Sequence, residues 1–205
     1  MPYDYDRTHE LILEHAGEQF LERGFRGASI RQICRQAGVT NGAFYAHFQS
    51  KEDLFRHLVE PALNGLSEQY GAETERYRTI RSPEDILACF EQALSSDERL
   101  IRYIYDHKDA FRLLLLASDG TGYEGFPAQL TAREERETAA FFEQCRPYVR
   151  RPENLSENLM GTISAMVVRT MFDCLLAGKT AEETIRETQL ASEFCLAGLR
   201  QIWGI

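Results

Sequence analysis

Apolar residues recur along this chain at helical spacing nearly throughout, and alternation with a period of two is almost absent, so the pattern predicts an all-α protein. Ile12, Ala16 and Phe20 fall at i, i+4 and i+8 with Leu13 beside them, giving one buried stripe on a first helix over about 6–23 that Gly24 stops. Ser29 is placed to cap a short second helix with Ile30, Ile33, Cys34 and Ala37 inward and Gly38 at its end. Thr40 caps a third short helix that runs to His47. Ser50-Lys51-Glu52-Asp53 has the form of a capping box and opens a long fourth helix, with Leu54, Phe55, Leu58, Ala62, Leu63 and Leu66 inward. Pro61 inside that helix lacks a backbone donor and crowds the preceding turn, which predicts a kink or break there.

Ser82-Pro83-Glu84-Asp85 is another cap with proline at the first helical position, and Ile86, Leu87, Phe90 and Leu94 continue its stripe. Leu100, Ile101 and Ile104 predict a further segment to about Tyr105. A short apolar helix over 110–117 precedes a glycine-rich loop, 118–127, and a long helix is expected over about 128–149. Arg151-Pro152 punctuates the chain before two closing helices, over 153–177 and 181–203, separated by Gly178 and reopened by Thr180-Ala181-Glu182-Glu183.

Composition narrows the function classes. A chain of 205 residues with 43% hydrophobic and 27% charged residues is ordinary for a globular protein. Its longest apolar run, Leu113–Ala117, falls far short of the roughly 20 residues a membrane-spanning helix needs. No signal-peptide pattern is visible at the N-terminus, and a cytoplasmic location is expected. The five cysteines, at 34, 89, 145, 174 and 195, are odd in number and widely spaced, which fits reduced thiols better than a disulfide framework. The formal charge of −9 taken alone argues against nucleic acid. It is unevenly spread, however. Residues 1–58 hold 7 Lys+Arg against 8 Asp+Glu, with four of the five histidines, while residues 59–205 hold 16 against 24. The acidity belongs to the C-terminal part, and the asymmetry points to two functional regions.

The pattern of an enzyme is missing: there is no G-x-S-x-G, H-E-x-x-H, P-loop or dinucleotide glycine string. The adjacent pairs Glu134-Glu135 and Glu182-Glu183 point to different helix faces and read as solvated charge. His9 and His15 have no further ligand at metal spacing. No catalysis, cofactor or metal is expected.

Residues 12–55 carry the informative pattern. A helix, a tight Ala37-Gly38-Val39 corner and a short helix make a helix-turn-helix, in which Gly38 permits the left-handed turn and Ala37 lets the helices approach. The second of these helices can lie in a major groove with its first residues at base edges. The string Ala37-Gly38-Val39-Thr40-Asn41-Gly42-Ala43-Phe44-Tyr45-Ala46-His47-Phe48-Gln49-Ser50-Lys51-Glu52-Asp53-Leu54 resembles the N-terminal domain of the TetR family of transcriptional regulators. It matches the family pattern A-G-V-[ST]-x-G-x-[LF]-Y-x-H-F-x-[ST]-K-E-x-L at every fixed position. Gln19 departs from the family, which usually has an apolar residue there.

The resemblance covers about 45 residues; the remaining helices agree with the family only in number, order and length. It implies a three-helix helix-turn-helix domain, residues 1–50, joined by the long fourth helix to a helical ligand-binding and dimerisation domain, residues 51–205. It further implies a homodimer that binds a palindromic operator in double-stranded DNA, usually as a repressor released by a small-molecule effector, with Tyr45, His47 and Lys51 on phosphates. The residues themselves add Thr40 and Asn41, a hydroxyl and an amide able to reach phosphate or base edges, and Gly42, which allows close backbone approach. The Ala43 methyl can meet a thymine methyl, and Ser29, Arg31 and Gln32 at the front of the second helix are further backbone contacts. Phe44 and Phe48 are assigned to the core.

The effector site is weakly encoded. Phe90, Tyr103, Phe111, Met166, Met171 and Phe172 are candidate lining residues, in a cavity expected between the fourth helix and the closing helices. Arg169 either receives an anionic ligand group or pairs with Asp173 one turn on. Gly161, Ser164, Ala165, Ala191, Ala197 and Gly198 would let the closing helices of two copies pack closely. Two other classes stay open: a redox-responsive regulator using Cys174 and Cys195, and a helical adaptor that binds protein instead of DNA.

Overall fold

The computed structural model describes residues 4–74 and 80–205. Regular structure among them is entirely helical: α1 (Tyr5–Gly27), α2 (Ile30–Ala37), α3 (Asn41–His47), α4 (Lys51–Thr74), α5 (Pro83–Asp106), α6 (Lys108–Leu116), α7 (Phe126–Cys145), α8 (Glu157–Leu176) and α9 (Ala181–Trp203). Two 3-10 turns, Arg146–Tyr148 and Pro152–Asn154, link α7 to α8. The expected all-α class is what the chain adopts. No described helix is long and apolar enough to cross a membrane.

Helix ends follow local chemistry. Gly38 ends α2 in the left-handed region at φ 70°. Thr40 caps α3, its Oγ1 accepting from the Ala43 N–H at 3.1 Å. Ser29 occupies the N-cap position of α2 but makes no side-chain capping bond, so the expected cap is positional only. At the start of α4 the Asp53 N–H donates to Ser50 Oγ at 3.0 Å, while the Asp53 carboxylate accepts from the Gln49 N–H at 2.8 Å. That acceptance is one residue earlier than in a capping box. The same device opens α5, where Ser82 Oγ accepts from the Asp85 N–H and Asp85 accepts from the Arg81 N–H. Thr180 and Glu183 form the full reciprocal box on α9.

Three boundaries differ from the sequence expectation. Gly24 breaks α1 at φ 69°, ψ 166° where the stop is expected, but a further turn carries the element on to Gly27. α4 runs without a break through Pro61, whose ring lies on the exposed side while Val59, Ala62 and Leu66 are buried. The proline removes only the donor to the carbonyl four residues back. α7 stops at Cys145, because Pro147 opens a 3-10 turn there.

The helices pack into two compact units: residues up to 65 with 107–127, and 66–106 with 128–205. The segment 107–127 groups with the N-terminal helices in the first unit. The reason is visible at the bend in α1, where the Phe25 N–H donates to the Ala117 carbonyl at 3.0 Å. The core of this first unit is aromatic. Phe20 lies 5.2 Å from Phe55 and 5.7 Å from Phe25, and Phe44 lies 5.7 Å from Phe48, between ring centroids. Gln19 is 1% exposed in that core, and its Oε1 has no hydrogen-bond partner among the described residues.

In the second unit α9 packs against α5 and α8. One cluster joins Ile80, Ile86, Phe141, Phe142, Cys145, Val149, Leu199 and Trp203, and a smaller one joins Ile101, Met171 and Ile185. The Trp203 carbonyl accepts from the N–H groups of Arg150 and Arg151, which ties the end of α9 to the segment before α8. The Trp203 indole is fully buried, 4.8 Å from the Phe142 ring and 6.2 Å from the Phe90 ring.

Candidate nucleic-acid interface

Burial fixes which faces of α2 and α3 turn outward. Ile33, Cys34 and Ala37 are buried on α2 and Phe44 on α3, with Phe48 following it into the core. The opposite faces carry the polar residues. Ser29, Arg31 and Gln32 from α2 meet Thr40 and Asn41 from α3 in one shallow groove of ≈ 580 Å³, together with Arg35 and Val39. Gly42 is exposed and Ala43 half-exposed on the next positions of α3. Tyr45 is 60% exposed, and its ring meets the Phe44 ring edge-on at 5.2 Å, which braces the phenol outward. α3 carries no Lys or Arg, so the cations of this groove are Arg31 and Arg35 on α2.

His47 and Lys51 sit differently. The His47 ring lies 4.0 Å from the Tyr5 ring and 5.5 Å from the His9 ring, and Tyr5 itself donates from its hydroxyl to the Ala46 carbonyl. Burial, then the nearby His9, hold the His47 imidazole below its ordinary value. The Lys51 ammonium donates to the carbonyls of Phe25 at 2.7 Å and Ala28 at 2.9 Å, and lies 4.5 Å from the centre of the Phe25 ring. Burial pulls its pKa down. Lys51 thus ties the start of α4 to the end of α1 and the turn into α2. That spends two of its three donors inside the protein.

Residues 12–58 match the sequence profile of the bacterial regulatory proteins of the tetR family. The regulator AcrR of Shigella flexneri is 33% identical over 113 residues, which are 51% of this chain and 50% of that protein. The repressor BepR of Brucella suis is 44% identical over 52 residues, 25% of each chain. The chain thus spans half of the first relative's length and a quarter of the second's. A TetR-like regulator from Rhodococcus sp. RHA1 superposes with a TM-score of 0.61 at 17% identity, covering 93% of this chain and 96% of that one. Residues 12–58 thus carry the tetR-family pattern, and the fold of the chain is that of a TetR-like regulator.

The second unit holds a partly open pocket of ≈ 180 Å³. Its described walls come from α5, α7, α8 and α9, not from the fourth helix. Phe90 lines it, with Phe141, Phe142, Val167, Met171 and Leu199. Met166 and Arg169 instead line an open groove between α7 and α8, where Arg169 pairs with Asp173 at 3.3 Å and is 81% exposed. Phe111 is fully buried in the first unit, 6.3 Å from Phe126. Phe172 is buried, and Tyr103 is half-buried with its hydroxyl pushed up by burial; neither is among the lining residues.

The cavity has three acidic lining residues that the sequence expectation missed: Asp97, Glu134 and Glu137. A signal was present. Phe90, Ala93, Asp97 and Leu100 fall at i, i+3, i+7 and i+10, so one carboxylate interrupts an apolar stripe. Glu134, Glu137, Thr138 and Phe141 fall at i, i+3, i+4 and i+7 on one face of α7.

Four of the thiols are held toward the neutral form. Burial pushes Cys34, Cys89 and Cys195 up, and takes Cys145 up to about 12. A neutral thiol is a poor nucleophile.

The outward surfaces of α8 and α9 carry exposed apolar residues among charged ones. Phe194 is 77% exposed and Leu190 57%, one turn apart on α9, while Leu159 and Leu176 are exposed on α8. Ala197 and Gly198 are exposed beyond Phe194, and a Cβ added at Gly198 would meet nothing within 4 Å. The Ser164 side chain lies outside the described residues.

Proposed function

We propose that this chain is a DNA-binding transcriptional regulator of the cytoplasm that recognises a palindromic operator as a homodimer and represses until a small molecule releases it. The observation that carries the DNA reading is the convergence of Ser29, Arg31, Gln32, Thr40 and Asn41 in one outward groove beside the exposed Tyr45. The amide of Asn41 suits a paired contact with adenine, and Tyr45, His47 and Lys51 supply the contacts to phosphate. The repressor sign rests on the similarity to the repressor BepR. A homodimer is supported by the uncovered Leu190 and Phe194 face, and one helix-turn-helix reads too few base pairs to be selective alone. The cavity of the second unit is the effector site.

The test is binding to the DNA that flanks the protein's own gene. Specific binding gives a palindromic footprint and weakens with salt, and Asn41→Ala and Tyr45→Phe each reduce affinity. Gly42 isolates the contact from the fold. A Cβ added there meets nothing nearer than Thr40 Oγ1 at 3.7 Å, so Gly42→Ala leaves the domain folded and its loss of operator affinity reports close approach to DNA. Affinity for flanking DNA no higher than for random DNA removes the proposal. An effector that releases the operator must itself bind more weakly in the operator's presence, by the same factor.

A further inference from the structure

We propose that Asn41-Gly42 is a site of spontaneous deamidation, a reaction of the chain with itself that turns a base-reading amide into a carboxylate and so limits how long a molecule off DNA keeps its DNA-binding face. The functional half rests on the reading of Asn41 as a DNA contact; the chemistry rests on the backbone around it. The chain has four asparagines, at 41, 64, 154 and 158, and those at 41 and 64 precede glycine. Glycine has no Cβ to stop the preceding side chain from folding back on its nitrogen, so these two pairs are the ones to compare.

Both asparagines are exposed, Asn41 in the first turn of α3 and Asn64 within α4. The nitrogen that must react differs between them. Thr40 engages the Ala43 N–H through its Oγ1 and the Phe44 N–H through its carbonyl, each at 3.1 Å. It passes over the Gly42 N–H, which donates to no group among the described residues. Gly65 lies well inside α4, where the helical ladder takes its N–H to the carbonyl four residues back. A first turn also opens at a lower free energy than a helix interior. A Cβ added at Gly42 would meet nothing nearer than Thr40 Oγ1 at 3.7 Å, so the peptide has room to turn toward the Asn41 side chain.

The reaction needs water alone. The Gly42 nitrogen gives up its proton and attacks Asn41 Cγ. The new C–N bond closes a succinimide ring, and the Cγ–Nδ2 bond breaks to release ammonia, which carries that proton away. Water then opens the ring. Addition at Cγ leaves aspartate; addition at the main-chain carbonyl leaves isoaspartate, whose main chain runs through the former side chain. Either product places a carboxylate in the groove lined by Ser29, Arg31, Gln32 and Thr40, where the phosphates of a duplex repel it. Neither keeps the amide that pairs with adenine. Aspartate in a first turn suits the helix dipole, so the domain stays folded while its contact is lost. Bound DNA occupies the amide and covers the nitrogen, so the operator protects the residue that reads it.

The experiment ages the full chain in mildly alkaline buffer at body temperature, then maps tryptic peptides by mass spectrometry. Trypsin isolates Asn41 in peptide 36–51 and Asn64 in peptide 57–76. Peptide 36–51 is expected to gain about 1 Da about tenfold faster than peptide 57–76, with fragment ions placing the gain at position 41. The rate rises with pH, because the attacking nitrogen must shed its proton. Gly42→Ala slows the gain severalfold, Asn41→Gln abolishes it, and the DNA flanking the protein's own gene slows it in the wild type; circular dichroism checks that each variant is folded. Affinity for that DNA falls in step with the modified fraction, and freshly made Asn41→Asp shares the loss. Equal rates in the two peptides, or no gain at position 41, overturn the proposal and leave the operator reading standing. A gain with undiminished affinity overturns its functional half and takes Asn41 out of the DNA contacts. Fresh protein that binds the flanking DNA no better than random DNA removes the operator reading and that functional half, whatever the masses show.

Discussion

The first unit is filled and the second is hollow, and their functions follow that difference. Around Phe20, Phe25, Phe44, Phe48 and Phe55 the N-terminal helices pack rings within 5–6 Å of one another, and the candidate contacts to DNA lie on the outside. In the second unit the rings of Phe90, Phe141 and Phe142 border a space, and the candidate chemistry lies within. A surface that must match a rigid duplex benefits from a close-packed support. A site that must admit a molecule gives up contacts that would otherwise hold the core together.

The largest expected effect tests the contrast directly. Phe44→Ala removes a fully buried ring from a filled core and is expected to cost about 3–5 kcal/mol in a denaturant titration. Phe90→Ala, at a half-buried ring beside a space already open, is expected to cost about 1–2 kcal/mol. Equal costs would break the comparison.

Next comes Lys51. Replacing it by Met keeps the aliphatic stem but strands the carbonyls of Phe25 and Ala28, at an expected cost of about 2 kcal/mol. The loss should exceed that of Arg35→Met, at an exposed position on α2. An equal loss would mean that the two carbonyls find water instead.

Gln19 carries the opposite sign. Its buried Oε1 has no partner among the described residues, so Gln19→Leu is expected to stabilise the chain by about 1 kcal/mol, read as a raised urea midpoint with unchanged slope. A lowered midpoint would show that the core has no room for the branch.

The smallest effect is a pH dependence at His47. Its folded imidazole is held below 6.5, so the unfolded chain takes up the proton first. The penalty is absent at pH above 6.5, grows as pH falls through that value, and levels off once the folded imidazole also protonates. His47→Gln removes this contribution, so the wild-type urea midpoint should fall more than the variant's between pH 7.5 and 5.5. Parallel curves would remove His47 as the cause.

Legibility differed between the units for physical reasons. The corner at Gly38 and the caps at Thr40 and Ser50 are local: each depends on groups within four residues, which the sequence displays in order. The burial of Phe44 and Phe48 followed from the same short-range pattern. Lys51 bonds carbonyls 26 and 23 residues away, and no local rule reports that. Residues 107–127 join the first unit through contacts such as Phe25 to Ala117, equally distant along the chain. The cavity is harder still, because a void is an absence of side chains. Phe111, Phe172 and Phe90 look alike as apolar residues on helices, yet only Phe90 of the three borders the space.

The buried indole at the end of α9 has a practical consequence. Trp203 is the chain's one tryptophan, fully enclosed and touching two rings that also border the cavity. Its emission therefore comes from a single site with no second fluorophore of its kind to blur it. A molecule that enters and shifts Phe90 or Phe142 changes the intensity or wavelength of that emission, which makes the protein its own optical sensor for screening unlabelled compounds.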